Sequence, residues 1–207
     1  MKSLAYGKEE LDYLGKKDPV LNSLIEEFGH IQIDLSEDVF TDIVYAIVGQ
    51  MLSLKAGETI SKSLREKAEE INPHSLAKLR WQDYRSCGLS RAKAEYIKGF
   101  AIKVNSNELD LSLLKSMSSE DIIKTLSSIK GIGTWTAEMI ALFTLGEKDI
   151  FSFGDTALKN GIMAAHGYRT LSKKRFEKLR RFYSPYCSIA SLYYYRYNDT
   201  YVRKIRD

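Results

Sequence analysis

The sequence of 207 residues contains few of the residues that cross-link a chain. It has two cysteines, Cys87 and Cys187, which lie far apart and have no Cys-x-x-Cys or Cys/His partner. Such a pair cannot by itself form a structural zinc site or an iron–sulfur cluster. We therefore predict two buried free thiols, since unpaired cysteine is among the most buried residue types.

Segments that would direct the chain to or through a membrane are also missing. Residues 1–10 have no apolar core and no cleavage-like site, so they do not resemble a signal peptide. No apolar run approaches membrane-spanning length. The three histidines, His30, His74 and His166, have no partners at metal-ligand or triad spacing, and we assign them no role. We expect a cytoplasmic protein, or a nuclear one if the source is eukaryotic, with no membrane partner.

Proline is scarce and strict apolar alternation is absent, which together indicate an all-α protein. The best candidate for extended chain is 31–35. Asp34 with Glu37 is the expected cap of the helix that carries Phe40 and the apolar positions up to Met51. Helices are predicted over 19–29, 40–51, 56–68, 73–79, 81–88, 90–104, 118–129, 134–146, 155–166 and 172–198, with Pro185 breaking or kinking the last.

Charge is unevenly distributed along the chain. The net charge is +4, yet the segment from Arg169 onward carries eleven cations against three acidic residues. The cations of this segment are Arg169, Lys173, Lys174, Arg175, Lys178, Arg180, Arg181, Arg196, Arg203, Lys204 and Arg206. Two interpretations remain open, namely contact with phosphates or a solvated terminal helix.

The most informative stretch is 126–138, in which Gly131 and Gly133 lie between two runs with helical apolar spacing. Glycine lets a backbone approach a ligand closely, and the helix that begins at Thr134 would present N–H groups to an anion. A phosphate is therefore the expected ligand, and a simple tight turn between helices is the alternative.

Three blocks of this sequence resemble the helix-hairpin-helix DNA glycosylases, and more narrowly the 3-methyladenine DNA glycosylase II branch. The first block, 47–53, is similar to the branch's ILGQ-x-x-S stretch, and the second, 88–96, is similar to its GLS-x-x-KA-x-Y segment. The third is the hairpin, 130–137, with the trailing Asp155. A lone Gly-x-Gly turn would be weak evidence for this family, whereas three matching blocks in the same order are strong evidence.

The resemblance implies a two-lobed all-α fold with a cleft between the lobes. The expected lobes are 36–145, which ends in a hairpin at about 129–134, and 1–35 with 146–207, with the catalytic aspartate at the junction. We expect no iron–sulfur cluster and no additional amino-terminal β domain. No cofactor is expected to be required, although the family's hairpin carbonyls bind a monovalent cation. Ile129 and Ile132 are therefore candidate ligands of Na⁺ or K⁺.

The resemblance assigns catalysis to Asp155, whose place before a helix also predicts a capping role. Asp149, nearby, is expected to be exposed and dispensable. Phosphate contact is assigned to the hairpin residues Lys130, Gly131, Ile132, Gly133 and Thr134. The loop holding Gln50, Met51 and Leu52 is where relatives insert a wedge into the gap left by a flipped base. Met51 and Leu52 could equally be core residues.

The residue at position 135 separates two subclasses of the family. Relatives that also cut the strand carry a lysine there, which forms a Schiff base with the sugar, whereas this chain has Trp135. Without that amine we expect a monofunctional hydrolase. A tryptophan can stack on a cationic alkylated purine, and packing within the hairpin is its alternative role. Met139, on the same helix face, and Tyr186 complete the expected base pocket.

The resemblance implies an enzyme that binds damaged double-stranded DNA, and we expect it to act as a monomer. It would flip the nucleotide out and hydrolyse the bond between an alkylated purine, chiefly 3-methyladenine, and its sugar. A glycosylase for deaminated or oxidised purines is the alternative within enzymes. A non-catalytic DNA-binding module is the alternative outside them, although binding alone needs no carboxylate facing the sugar.

Overall fold

The computed structural model describes residues 2–202, and within that range the regular secondary structure is almost entirely helical. The helices are α1 (Lys8–Lys17), α2 (Pro19–Phe28), α3 (Val39–Gly49), α4 (Leu54–Ala68), α5 (Pro73–Lys78), α6 (Trp81–Ser86), α7 (Arg91–Asn105), α8 (Ser119–Ser127), α9 (Thr134–Ile140), α10 (Thr156–His166), α11 (Lys173–Tyr183) and α12 (Cys187–Tyr197). A 3-10 segment at Leu111–Ser116 and π-helical turns at Ala141–Leu145 and Asn198–Val202 add to them. The all-α prediction is confirmed.

A small antiparallel sheet is the exception to the helical fold. It pairs β1 (Lys2–Ser3) with β2 (Asp34–Leu35), in a register that places Ser3 opposite Asp34. The extended chain expected over 31–35 is therefore present at its carboxyl end.

The chain divides into two compact units. One comprises Ser36–Ile140, and the other combines Met1–Leu35 with Ala141–Asp207. The hairpin between α8 and α9 belongs to the first unit, and Asp155 belongs to the second.

The core of the Ser36–Ile140 unit is built on α3. Ile43, Val44 and Ile47 are completely buried, as expected for apolar residues at helical spacing. On the same helix Phe40 stacks on Phe100 of α7, with 5.0 Å between the ring centroids. This stacking packs the amino end of α3 against α7, and Lys93 of α7 contacts the carboxyl end of α3 at the Val48 carbonyl.

The expected cap of α3 is wrong. Asp38, rather than Asp34 with Glu37, precedes the helix, and its carboxylate accepts a hydrogen bond from the Thr41 N–H at 3.0 Å. Asp34 is unavailable for capping because it lies in β2, where it pairs with Ser3.

Aromatic residues dominate the core of the other unit. Phe151 stacks on Phe176 of α11, with 4.5 Å between centroids. The Tyr183 hydroxyl donates a hydrogen bond to the carboxylate of Asp18 and lies 2.7 Å from the hydroxyl of Tyr194. Polar groups in this core are thus paired with one another, as buried polar groups must be.

Both cysteines are buried and free, as the sequence predicts. Burial raises the pKa of the Cys187 thiol, so this thiol stays protonated and unreactive at neutral pH.

Two further observations concern the predicted helices. The stretch predicted as one broken helix over 172–198 is two helices, α11 and α12, separated around Pro185. Helix α1 is absent from the helices predicted above. In the part of the chain that the structure describes, no helix has both the length and the apolar character needed to cross a bilayer.

Candidate active site

The hairpin joins α8 to α9 through a turn whose apolar residues point inward. The side chains of Ile129 and Ile132 are buried, and the Ile132 N–H donates to the Ile129 carbonyl at 2.9 Å. Lys130, Gly133 and Thr134 are exposed. Two apolar anchors therefore hold the turn, while its polar and glycine positions face solvent.

The two hairpin glycines serve different purposes. Gly131 has φ 96°, and a Cβ atom added there would lie 2.4 Å from Cδ2 of the Tyr96 ring. A Cβ atom at Gly133 would meet no described protein atom within 4 Å. Gly131 is thus required by the fold itself, whereas Gly133 leaves open surface at the position where a phosphate is expected to approach.

The loop after α3 contacts the hairpin directly. The Gln50 side-chain amide donates to the carbonyl of Gly131 at 2.7 Å. Because the Gln50 side chain is used in this way, it holds the hairpin and does not extend into solvent. Two of the three sequence blocks therefore meet at this hydrogen bond.

Met51 forms the tip of the same loop. Its backbone has φ 57°, which is rare for a residue other than glycine and costs about 1 kcal/mol, and its side chain is fully exposed. Its predicted place on the apolar face of α3 is wrong, because the helix ends at Gly49 and Met51 lies beyond it. Leu52 follows with 40% of its surface exposed. Neither the left-handed backbone of Met51 nor its exposed apolar side chain contributes to the stability of the free protein.

The middle block supplies the support for this loop. The Lys93 ammonium donates to the carbonyls of Val48 and Gln50, at 2.8 and 2.6 Å. Burial lowers the pKa of Lys93. Tyr96, one turn further along α7, lies under Gly131 and receives the Lys130 ammonium 5.7 Å from its ring centroid.

The sequence analysis assigned no role to Lys93 or Tyr96. Both lie in the block 88–96 that is similar to the family, and this position was the sequence feature that could have indicated a role for them. The hydrogen bonds of Lys93 join residues that are 45 and 43 positions apart in the chain, and Tyr96 likewise contacts a distant segment at Gly131. Residue spacing does not reveal such contacts.

Trp135 lies in the first turn of α9. Its side chain is 48% exposed, so packing in the hairpin core is not its principal environment. Met139, one turn later, is half-buried, and Leu142 is fully buried. The face that Trp135, Met139 and Leu142 share therefore passes from exposed to buried along its length.

Asp155 precedes α10 and caps it, as predicted. The carboxylate accepts a hydrogen bond from the Leu158 N–H at 2.8 Å, and only 6% of the residue is exposed. The N-terminus of a helix favours a negative charge, so the fold provides partial compensation for burying this carboxylate. A buried acid held in one orientation suits a group that acts on a developing positive charge.

The remaining residues predicted near the site lie in the same unit as Asp155. Tyr186 is half-buried at the start of α12, and its ring packs edge-on against Tyr13 with 5.1 Å between centroids. The prediction that Asp149 is exposed is wrong. Asp149 is half-buried and accepts hydrogen bonds from the Ser184 hydroxyl at 2.7 Å and the Cys187 N–H at 3.3 Å.

Side chains and backbone carbonyls differ in what they offer a metal ion. Within residues 2–202 no cluster of three or more His, Cys, Asp or Glu side chains could hold a metal ion. At the hairpin, the Ile129 carbonyl accepts one hydrogen bond and has a second lone pair that a hard monovalent cation could use. The cation at Ile129 and Ile132 stays a prediction.

Part of the basic segment lies on the exposed face of α11. Lys173, Lys174, Arg175, Lys178 and Arg181 are all exposed, whereas Arg180 pairs with Glu177 at 3.1 Å. Arg203, Lys204 and Arg206 lie outside the described residues. This arrangement is compatible with both interpretations of the segment.

Comparisons with known proteins identify the family of this chain. A profile of the HhH-GPD superfamily of base excision DNA repair proteins matches residues 44–185. A Bacillus subtilis protein named "Putative DNA-3-methyladenine glycosylase" is 30% identical over 195 residues, which is 90% of this chain and 67% of that one.

Solved structures share the fold. The crystal structure of a DNA-3-methyladenine glycosidase from Bacillus halodurans has a TM-score of 0.89 and 29% identity, and covers 99% of this chain and 95% of that one. The Schizosaccharomyces pombe 3-methyladenine DNA glycosylase, solved in complex with abasic DNA, has a TM-score of 0.79 at 22% identity, over 91% of this chain and 96% of that one. The family match covers more than half of the chain, and the protein therefore belongs to the HhH-GPD superfamily of base excision DNA repair proteins.

Proposed function

We propose that this protein is a monofunctional DNA glycosylase that removes alkylated purines, chiefly 3-methyladenine, from duplex DNA. The observation that carries the proposal is the combination, in a member of this family, of a buried aspartate at 155 with a half-exposed tryptophan at 135. The names of the Bacillus relatives support an alkylated base as the substrate.

The reaction replaces the bond from C1′ of deoxyribose to the base by a bond from C1′ to water oxygen. As the C1′–N bond breaks, its electron pair leaves with the purine and positive charge develops on the sugar. Ionised Asp155 would stabilise this charge and orient the water that attacks C1′. The water loses a proton, and the products are a free base and an abasic site in an unbroken strand.

Trp135 would select the base. Alkylation at N3 or N7 gives a purine a positive charge, and a cation on the face of an indole gains about 0.5–2 kcal/mol. A cationic purine is also a good leaving group, because departure neutralises it. Modest stabilisation by Asp155 then suffices for hydrolysis.

Lysine is replaced by tryptophan at the position from which strand-cutting relatives attack the sugar. Formation of an imine with C1′ needs an amine, and without an imine there is no β-elimination of the 3′ phosphate. Lys130 is the nearest cation in the hairpin, and its ammonium lies over the Tyr96 ring. We therefore propose that the strand stays intact.

Duplex binding would use the exposed side of the hairpin. Backbone N–H groups at Gly133 and Thr134 suit a phosphate, which gives contact without sequence preference. Among Gln50, Met51 and Leu52 we choose Met51 as the wedge that fills the gap left by the flipped nucleotide. Its exposure and its left-handed backbone support this choice, while the Gln50 side chain is engaged with Gly131.

The test uses purified protein with duplexes that each contain one defined lesion, and measures free base and strand breaks separately. We expect release of 3-methyladenine with no break until alkali is added. Preferential release of hypoxanthine or 8-oxoguanine would contradict the proposed substrate and indicate a glycosylase for deaminated or oxidised purines. Strand cleavage without alkali would contradict the monofunctional assignment, and binding without any base release would indicate a non-catalytic module.

A further inference from the structure

The loop after α3 and the hairpin are tied together by residues that have no part in the chemistry proposed above. Helix α3 ends at Gly49, so its last carbonyls lack partners within the helix. Lys93, which projects from α7, donates to the carbonyls of Val48 and Gln50 on either side of this end. Its positive charge also lies at a helix C-terminus, where a cation is favoured.

The backbone between these carbonyls and Met51 is short and sharply turned. Gln50 is extended, with φ −53° and ψ 131°, Met51 is left-handed, and the Leu52 N–H returns to the Gly49 carbonyl at 3.2 Å. Among these contacts, the Lys93 ammonium is the side-chain group that fixes the main chain immediately before Met51. The direction of the exposed Met51 side chain therefore depends on Lys93.

The hairpin is attached to the same point. The backbone carbonyl of Gln50 accepts a hydrogen bond from the Lys93 ammonium, and the side-chain amide of Gln50 donates one to the carbonyl of Gly131. On the other side of Gly131 the Tyr96 ring, from the same helix as Lys93, leaves no room for a Cβ atom. Residues from all three sequence blocks thus form one continuous set of contacts from the α3 end to the phosphate-facing turn.

We propose that Lys93 is a positioning residue that holds Met51 and, through Gln50, the hairpin in one fixed arrangement. Insertion of the wedge and the grip on the phosphate then occur together, since neither segment can shift without breaking a hydrogen bond of the other. This inference rests on the proposed function, because it assigns those two tasks to the two segments.

The chain supplies a matched control for Lys93 on the same helix. Lys98 is also half-buried, and its ammonium also donates to a carbonyl of another segment, that of Leu79 at 2.7 Å. That carbonyl lies between α5 and α6, away from the Met51 loop and the hairpin in sequence. Lys93→Met and Lys98→Met each remove one buried ammonium, while Lys93→Arg keeps a donor for both carbonyls.

The first measurement is hydrogen exchange in the free, full-length protein. We expect Lys93→Met to accelerate amide exchange about tenfold or more in peptides that cover 49–54 and 129–134, while Lys93→Arg and Lys98→Met leave them near wild type. Unchanged exchange in both peptides in Lys93→Met would overturn the proposal. This readout needs no activity, so it stands even if the protein removes no base.

The second measurement compares base release from a lesion in duplex and in single-stranded DNA. A wedge matters only where a neighbouring stack must be opened, so Lys93→Met should lower the duplex rate about tenfold while the single-strand rate stays within about twofold. Lys93→Arg should restore most of the duplex rate. An equal loss on both substrates would assign Lys93 to general stability and overturn its positioning role. Absence of release by wild-type protein would refute the proposed function instead.

Discussion

The two units place their candidate residues in opposite environments. In the Ser36–Ile140 unit, Met51 and Trp135 are apolar side chains turned toward water, and Met51 also has a left-handed backbone. In the other unit, Asp155 is a carboxylate withdrawn from water and bonded to a helix N-terminus. Exposed apolar side chains gain free energy only when a binding partner covers them, whereas a buried acid acts only on a ligand group that comes close to it. The proposed function assigns the exposed groups to DNA binding and the buried acid to the chemistry.

The largest expected effect comes from replacing the buried acid. Asp155→Asn keeps an oxygen that can accept from the Leu158 N–H, so α10 should stay capped, but the negative charge is lost. We expect base release to fall about 10²- to 10³-fold in single-turnover measurements, with thermal stability close to wild type. Full release by this variant would refute the catalytic assignment of Asp155.

The two hairpin glycines offer a matched pair. Gly131→Ala adds a Cβ atom that overlaps the Tyr96 ring at a backbone angle that alanine disfavours, and should lower the free energy of unfolding by about 1–3 kcal/mol. Gly133→Ala meets no such obstacle and should change it by about 0.5 kcal/mol or less. Urea denaturation measures both. Equal losses would show that the two glycines are not separated into structural and ligand-facing roles.

Met51→Gly tests whether the strained tip of the loop serves binding and not folding. Glycine accepts the left-handed backbone, and the exposed side chain contributes no packing, so the free energy of unfolding should stay the same or rise by up to about 1 kcal/mol. Base release from duplex DNA should fall about tenfold, because the wedge that offsets unstacking is gone. A destabilised but fully active variant would contradict both statements.

The smallest effect on base release is expected at the tryptophan. Trp135→Ala should reduce release of cationic 3-methyladenine about fivefold, which corresponds to the loss of one exposed cation–π contact of about 1 kcal/mol. Trp135→Phe should retain part of the rate. With an uncharged lesion such as hypoxanthine the loss should be smaller, and an equal loss on both lesions would exclude recognition of charge.

Much of the fold follows from local pattern. The apolar spacing of α3, the serine caps before α7 and α8, and the break at Pro185 are encoded within a few residues of where they act. The predicted cap of α3 is wrong because the backbone of Asp34 pairs with Ser3 in the small sheet. That pairing joins two segments distant in the chain, and local pattern does not reveal it.

The site divides in the same way. The capping role of Asp155 is readable from the residues that follow it, whereas the support given by Lys93 and Tyr96 is not. Those contacts join segments that are distant in the chain, and a lysine followed by alanine on an amphipathic helix is typical of any solvated face. Asp149 is predicted to be exposed, but it accepts hydrogen bonds from the Ser184 hydroxyl and the Cys187 N–H. These partners belong to the connection between α11 and α12, which is distant from Asp149 in the chain.

The most direct test of the division between binding and chemistry measures Asp155→Asn and Gly133→Ala on one lesion-containing duplex. Both affinity and single-turnover base release at saturating protein are recorded. We predict that Asp155→Asn binds like wild type and releases almost no base. We predict that Gly133→Ala binds weakly, yet releases base at nearly the wild-type rate once the protein is saturating. Loss of binding in Asp155→Asn, or loss of the saturated rate in Gly133→Ala, would contradict this division.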